Sequence, residues 1–274
     1  MSEQKSIVDI QTPNTRKSIA NELKQLGIEE GMAVIVHSSL SSLGWVCGGP
    51  VAVVQALMDT VGEEGTVVMP TQSAGNSDPA EWENPPVPKE WWAVIRDNMP
   101  AYQADITPTR GMGVIVETFR KFPNVTRSSH PALSFAAWGK YADFITANQS
   151  LNNALGETSP LQKLYDLDGY ILLLGVDHDN NTSFHLAEHS IPNRKVIEKG
   201  AAVLENGRRV WKTYQEIKYD EIPFKQLGKE FEKQQMVHVG NVGKATCKFM
   251  SQRSAVNFAR SWFTETLEHD ACEN

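Results

Sequence analysis

Apolar positions along the chain follow two different patterns, which predict alternating strands and helices. Three continuous apolar runs predict strands that are buried on both faces of a sheet: residues 33–37, 65–70 and 169–175. Apolar side chains at helical spacing predict helices beside the first two strands, at residues 15–26 and 50–58. Strand, helix and strand in this order form a βαβ unit. We therefore predict an α/β fold with a central, largely parallel sheet between two layers of helices.

The rest of the chain predicts shorter elements, a loop-rich insertion and a hairpin. One more strand is expected at residues 134–139, with helices at residues 114–120, 143–149, 161–167, 183–190, 224–233 and 253–267. Residues 74–109 combine many prolines with three tryptophans, which is typical either of a loop packed for stability or of a lid over a cleft. Asn206-Gly207 between apolar runs predicts a β-hairpin in a carboxyl-terminal subregion, residues 194–274, whose last residues, 268–274, form a polar tail. We expect one domain over residues 1–274.

Charge and composition narrow the class of protein. The 274 residues carry 26 Lys and Arg against 33 Asp and Glu, a net charge of −7, which argues against nucleic-acid binding and favours a cationic partner. Three scattered cysteines do not form a disulfide framework or a cysteine zinc site. Residues 1–10 lack the apolar core of a secretory signal, and no apolar run reaches the length of a membrane span. We therefore expect a cytoplasmic protein that does not bind membranes.

Polar clusters follow the predicted strands, at the edge of the sheet where α/β proteins bind ligands. They are residues 37–42, residues 71–73 and residues 177–185. The first cluster has four serines and precedes Gly48-Gly49 at a helix start, which suits a phosphate group. Neither nucleotide-binding glycine spacing occurs there, so a simple capped loop is the alternative. His130, within residues 127–131, could likewise contact a phosphate or stabilise a turn.

The third cluster carries the strongest catalytic signal. His185-Leu186-Ala187-Glu188-His189 matches the H-x-x-E-H pattern of inverted zinc peptidases, but no third ligand is evident, and a structural role is favoured for His189. A neutral imidazole at the mouth of an α/β cleft is the usual form of a general base, and this role suits His185. The candidate carboxylates to orient it are Glu188, Asp177 and Asp179. The G-x-S-x-G pattern of α/β serine hydrolases does not occur.

Six motifs in order give the chain a family resemblance. They are His37-Ser38-Ser39-Leu40-Ser41-Ser42-Leu43-Gly44, Met69-Pro70-Thr71, Thr107-Pro108-Thr109-Arg110-Gly111-Met112-Gly113, Arg127-Ser128-Ser129-His130-Pro131, Gly156-Glu157-Thr158-Ser159-Pro160 and Asn181-Thr182-Ser183-Phe184-His185. Over nearly its whole length the chain resembles the aminoglycoside 3-N-acetyltransferase family, whose fold is unrelated to that of Gcn5-type acetyltransferases. Through Trp82-Glu83-Asn84-Pro85-Pro86-Val87-Pro88 it is similar to the Bacillus-type members in particular.

The resemblance implies acetyl transfer from acetyl-coenzyme A to an amine, the 3-amino group of an aminoglycoside or of a similar compound. It implies that His185 is the general base, that Glu188 or Asp179 orients it, and that no metal takes part. The coenzyme-binding residues that it implies are His37, Ser38, Ser39, Leu40, Ser41, Ser42, Leu43, Thr71, Thr107, Thr109, Arg110, Gly111, Met112, Gly113, Ser128 and His130. For the acceptor we expect contacts from Trp82, Glu157, Asp177, Asn181 and Glu216.

Three alternatives stay open at this point. The chain could bind coenzyme A without catalysis, or acetylate a different amine, because variable loops choose the acceptor. A zinc peptidase is the third alternative. The aromatic loop at residues 82–92 is also compatible with a homodimer.

Overall fold

The computed structural model describes Ile7 and residues 12–272, and the described residues form nine strands. Residues 1–6, 8–11 and 273–274, which include most of the amino-terminal stretch and the end of the predicted tail, lie outside them. The strands are β1 (Ala33–Ser38), β2 (Thr66–Pro70), β3 (Thr126–Arg127), β4 (Phe135–Gly139), β5 (Tyr170–Leu174), β6 (Val196–Glu205), β7 (Arg208–Ile217), β8 (Val237–Val242) and β9 (Ala245–Ser251).

Seven of these strands form one sheet in the order β3-β4-β2-β1-β5-β9-β8. The central strand β1 pairs in parallel with β2 and β5, as the three apolar runs predict. The outer pairings, β2 with β4, β4 with β3, β5 with β9 and β9 with β8, are antiparallel, so the sheet is mixed around a parallel centre. The carboxyl ends of β1, β2 and β5 meet at one edge, and the polar clusters lie there.

Within residues 12–272, nine α-helices accompany the strands. They are α1 (Arg16–Gln25), α2 (Gly49–Val61), α3 (Trp92–Asn98), α4 (Gly113–Phe119), α5 (Ala142–Thr146), α6 (Pro160–Asp166), α7 (Phe184–Glu188), α8 (Phe224–Glu232) and α9 (Gln252–Cys272). The last helix continues through Cys272, so the predicted polar tail is helical as far as the structure describes it. No helix in the described part of the chain is both long and apolar enough to cross a membrane.

Two apolar cores lie on opposite faces of the sheet. Val34 and Val36 of β1 face one core, which contains α1, α2 and α4. Ile35 of the same strand faces the other core, which contains α5 to α9. Alternation along a strand sends neighbouring side chains to opposite faces, and burial on both faces explains why β1 is a continuous apolar run. The predicted arrangement of helices on both faces of a central sheet is confirmed.

The last part of the chain differs from the prediction. Strands β8 and β9 form a hairpin that adds to the sheet edge, where the sequence predicts no strand. The predicted hairpin around Asn206-Gly207 is present as β6 and β7, longer than the apolar runs suggest, and both turn residues have positive φ. Within the predicted loop-rich insertion, Trp92–Asn98 forms the helix α3.

The β6–β7 hairpin stands apart from the main sheet and packs on the insertion. The backbone N–H of Tyr102 donates to the carbonyl oxygen of Ala202 at 2.9 Å. Arg209 donates through Nε to the carbonyl oxygen of Met99 at 2.9 Å. Lys199 on β6 forms an ion pair with Glu81 of the insertion. The hairpin and the insertion are therefore held together by backbone and charged contacts.

Candidate active site

One cavity opens at the carboxyl ends of the central strands, and a second cavity lies next to it. The first, of about 670 Å³, is lined by the end of β1, the start of α2, the loop before α4 and the segment before α7. The second, of about 540 Å³, lies between the insertion and the β6–β7 hairpin. Glu221 lines both cavities, and His185 lines the first one beside it.

His185 and Glu188 form a buried pair on the helix α7. Their spacing of three residues puts both side chains on one face of the helix, with Nδ1 of His185 2.5 Å from Oε2 of Glu188. The other carboxylate oxygen, Oε1, pairs with Arg194 and accepts the backbone N–H of Asp220 at 3.0 Å. A carboxylate only accepts hydrogen bonds, so Nδ1 of a neutral His185 carries the proton. Nε2 then has a free lone pair.

Burial keeps this imidazole neutral. It lowers the pKa of His185 to about 4, and the effect outweighs the opposing attraction of the Glu221 carboxylate. Arg194 lowers the pKa further, because its positive charge repels a proton on the ring. The ring of His185 contacts Tyr219 and Phe224 at 4.8 Å between ring centroids, which fixes its orientation. A neutral, oriented imidazole with a free Nε2 can accept a proton at pH 7.

A ligand in the first cavity can come close to the backbone of α2 and of the loop before α4. A Cβ added at Gly49 or Gly111 would meet no atom within 4 Å. No side chain caps the amino terminus of α2, whose N–H groups suit an anionic phosphate. His37 Nε2 and Ser38 Oγ are buried without a hydrogen-bond partner. These features fit a ligand with phosphate and polar groups.

Half of the coenzyme residues implied by the resemblance line this cavity, namely His37, Ser38, Ser39, Leu40, Ser41, Gly111, Met112 and Gly113. The other eight do not line it. Arg110 lines the second cavity instead. Ser42 donates to Ser39 Oγ at 2.9 Å, and Leu43 is fully buried in the core.

The remaining hydroxyl residues have structural partners. Thr71 accepts from Arg127 Nε at 3.1 Å, in a buried network beneath the cavity. Ser128 donates to Gln149 at 2.6 Å. The Thr109 hydroxyl donates to Glu117 at 2.9 Å, and the Thr107 hydroxyl accepts the backbone N–H of Gln103 at 2.9 Å. Direct coenzyme contacts of these residues stay predictions, whereas their role in shaping the loops is evident.

His130 stabilises a turn. Its Nδ1 accepts the backbone N–H groups of Ala132 at 3.2 Å and Leu133 at 2.9 Å. Burial lowers the pKa of His130 to about 4, because a charged ring is unfavourable in the protein interior; the hydrogen bond to the Leu151 carbonyl opposes this effect. The turn, which the sequence left as one of two interpretations, is the arrangement that the structure describes.

This buried ring predicts a pH dependence of stability. The pKa of His130 is lower in the folded state than the unfolded value of 6.5, so the unfolded chain binds more protons below that pH. The free energy of unfolding is therefore unaffected by the titration of His130 above pH 6.5, and it decreases by about 3 kcal/mol on account of this residue as the pH falls towards 4. His130→Asn keeps an acceptor oxygen but does not titrate. Urea unfolding at pH 7 and pH 4 should show a smaller loss of stability for this variant, and equal losses would contradict the assignment.

The structure does not bring together the five residues expected to contact the acceptor. Trp82 and Glu216 line the second cavity. Glu157 is exposed elsewhere, and Asp177 forms an ion pair with Lys248 at 2.5 Å. Asn181 is buried and accepts the backbone N–H of Ser183 at 3.2 Å.

The structure shows what the candidate carboxylates near His185 contact, and it adds Arg194, which the sequence did not indicate. Glu188 contacts the ring of His185, whereas Asp179 lines the first cavity and accepts from Asn180 at 2.8 Å. No pattern in the sequence points to Arg194, which pairs with Glu188, because Arg194 lies after the end of α7 and helical spacing does not connect the two residues.

The pattern H-x-x-E-H does not produce a metal site here. Nε2 of His189 lies 3.0 Å from the hydroxyl of Tyr219, while Glu188 is engaged by Arg194. Across residues 12–272, the grouping of acidic and histidine side chains with metal-like spacing is Asp177, His178 and Glu232. Lys248 already lies 2.5 Å from the first and 2.7 Å from the last, so an ammonium group compensates these carboxylates.

A neutral, carboxylate-bound imidazole beside the meeting point of two cavities, on an α/β fold, is an arrangement that suits an enzyme that transfers a group between two substrates. The sequence profile described as aminoglycoside 3-N-acetyltransferase matches residues 35–264. The chain belongs to this family and is an acetyltransferase. The predicted family and enzyme class are thereby confirmed, and the zinc peptidase alternative is not supported.

Relatives with this name cover almost the whole chain. The SPbeta prophage-derived aminoglycoside N(3')-acetyltransferase-like protein YokD of Bacillus subtilis strain 168 is 54% identical over 94% of this chain and 96% of its own. Aminoglycoside N(3)-acetyltransferase III of Pseudomonas aeruginosa is 31% identical, over 93% and 96%.

Solved structures agree with the fold. The crystal structure of YokD superposes with a TM-score of 0.93 at 53% identity, over 95% of this chain and 97% of that one. AAC-IIIb in a binary complex with CoASH superposes at 0.83, with 29% identity over 93% and 98%. AAC-VIa bound to sisomicin also superposes at 0.83, with 27% identity over 92% and 98%.

Proposed function

We propose that the protein transfers the acetyl group of acetyl-coenzyme A directly to an amine of an aminoglycoside or a similar amino compound, with His185 as general base. The observation that carries this proposal is the buried His185–Glu188 pair beside the junction of two cavities. Relatives named aminoglycoside N(3)-acetyltransferases support the acceptor class.

Acetyl-coenzyme A is the cosubstrate, and the first cavity is the space that suits it. The solved complex of AAC-IIIb with CoASH supports this choice. The exposed backbone at Gly49 and Gly111 and the uncapped start of α2 suit the pyrophosphate, and the serine cluster adds hydroxyl donors. The bound cosubstrate supplies a thioester carbonyl as the electrophile.

His185 moves the proton that the transfer releases. As the amine nitrogen forms its bond to the acetyl carbonyl carbon, Nε2 of His185 accepts the proton that the nitrogen loses. The C–S bond breaks, and the same proton passes from Nε2 to the departing sulfur. Glu188, held by Arg194 and the Asp220 N–H, stabilises the imidazolium between the two transfers.

The second cavity suits the acceptor. Its wall carries four carboxylates and three basic side chains, of which Lys199 is already paired with Glu81. Trp82, Tyr214 and Tyr219 supply apolar surface for a ring. Sisomicin bound to the related AAC-VIa supports an amino sugar as the occupant, and the net charge of −7 favours a cation.

Thiol release from acetyl-coenzyme A, measured with purified protein and a panel of aminoglycosides with and without a chelator, tests the proposal. Turnover that survives chelation is the expected result. Absence of turnover across the panel, with coenzyme binding retained in calorimetry, would contradict the acceptor class and favour either another amine or a binding role.

Replacement of Ser39 tests the coenzyme assignment. Ser39 lines the first cavity and accepts from Ser42, so its loss also frees the neighbouring hydroxyl. Ser39→Ala is expected to raise the dissociation constant of acetyl-coenzyme A about fivefold, the value of one hydrogen bond. Ser261→Ala, on the exposed face of α9, is the matched control. Calorimetry that gives both variants the wild-type affinity would show that this loop does not hold the phosphates.

A further inference from the structure

Glu221 lies at the junction of the two cavities. Of the residues that the structure describes, it alone lines both. Its Oε1 is 3.6 Å from Nε2 of His185, the nitrogen that has the free lone pair. The residue precedes α8 and 64% of its side chain is exposed, so a molecule in the second cavity can reach it.

The carboxylate of Glu221 lacks a basic partner. Two other acids near the site are each paired with a cation: Glu81 with Lys199 and Glu188 with Arg194. Within the described residues, the basic side chain nearest the Glu221 carboxylate is His185, whose ring is neutral. An uncompensated carboxylate therefore faces the place where the acceptor nitrogen must lie to reach Nε2.

An aliphatic amine arrives at pH 7 as an ammonium ion, since its pKa is near 10. Building on the proposed function, we infer that Glu221 binds the ammonium group of the acceptor beside His185 and then stabilises the protonated imidazole. One proton of the ammonium passes through Nε2 to solvent. The second leaves as the N–C bond forms and returns through Nε2 to the departing sulfur, while the C–S bond breaks.

Glu221 is one of several groups that face His185. The others are Glu188 on the same helix, Arg194 after it, Tyr219 and Asp220 beside Glu221, His37 at the end of β1, and His189. Glu221 and Asp220 both raise the pKa of His185, and Glu221 is the larger cause of the two. Removal of its charge should lower that pKa, and a purely structural residue would not have this effect.

The experiment compares Glu221→Gln, Glu221→Asp and the control Glu230→Gln; Glu230 lies on α8, and its carboxylate pairs with Lys233 just after the helix. Glu221→Gln is expected to raise the KM for sisomicin about tenfold, the value of a hydrogen bond to a charged group. The dissociation constant of acetyl-coenzyme A should stay within about twofold. NMR titration of the His185 ring in the protein alone should show a pKa lower by about half a unit. Glu221→Asp should recover part of both effects, and Glu230→Gln should match the wild type.

An unchanged His185 titration together with a wild-type KM in Glu221→Gln would overturn the inference. If the wild-type protein acetylates no aminoglycoside, the proposed function fails, and calorimetry with sisomicin still decides the role of Glu221. Tenfold weaker binding by Glu221→Gln than by Glu230→Gln would support it, and equal binding would overturn it.

Discussion

His185→Ala is expected to lower kcat about 1,000-fold while the dissociation constant of acetyl-coenzyme A changes by less than about twofold. A general base in a transition state contributes this much, because without it the proton of the attacking amine has no acceptor. His185 is one of many residues that line the first cavity, so the rest of the wall that suits the coenzyme stays intact. Thiol release measures kcat, and calorimetry measures the affinity.

His238→Ala is the matched control, because His238 is an exposed histidine on the edge strand β8. Its kcat should equal that of the wild type. Equal losses of transfer and of coenzyme binding in His185→Ala would show that His185 is a binding residue and not the base.

Gly228→Ala is expected to destabilise the protein by about 3 kcal/mol. In the interior of a helix, alanine is normally better than glycine by about 1 kcal/mol. Here a Cβ at position 228 would lie 2.0 Å from Cγ of His178. His178 is fully buried and its Nε2 lies 2.9 Å from Glu232, so the ring has no space into which to move. Overpacking of this kind costs more than the gain in helix propensity.

Urea unfolding measures the free energy of unfolding of this variant. Gln226→Ala, at an exposed position of the same helix, should change it by less than about 0.5 kcal/mol. We also expect Gly228→Ala to lose activity, because His178 is followed by Asp179 and Asn180 in the wall of the first cavity. A stability equal to that of the wild type would show that α8 and the 178–180 turn separate at little cost.

Continuous apolar runs predict the centre of the fold well and its edges poorly. Residues 33–36 of β1 and 171–174 of β5 are buried on both faces of the sheet, so these positions are all apolar. β8 lies at the sheet edge, where most of its side chains are at least partly exposed and Gly240 interrupts the pattern. The sequence does not predict the helix α3, because it lies in a proline-rich segment whose tryptophans suggest a packed loop.

Spacing along one helix predicts the proposed catalytic pair, but contacts between distant segments require the structure. His185 and Glu188 are three residues apart, so a helix brings them together. Sequence could not show that Arg194 compensates Glu188, since that contact depends on the path of the chain after α7. Nor could it separate Ser39, which lines the cavity, from Ser128, which is buried in a structural network, because a hydroxyl serves both purposes.

The contact between the insertion and the β6–β7 hairpin has an evolutionary consequence. The walls of the second cavity come from both segments, which are far apart in sequence and are joined by the Lys199–Glu81 pair and by Arg209. Replacing one segment alone by that of a relative would leave these charges and backbone groups without partners. We therefore expect residues 74–109 and 196–217 to change together among relatives that differ in acceptor preference, while the main sheet stays constant.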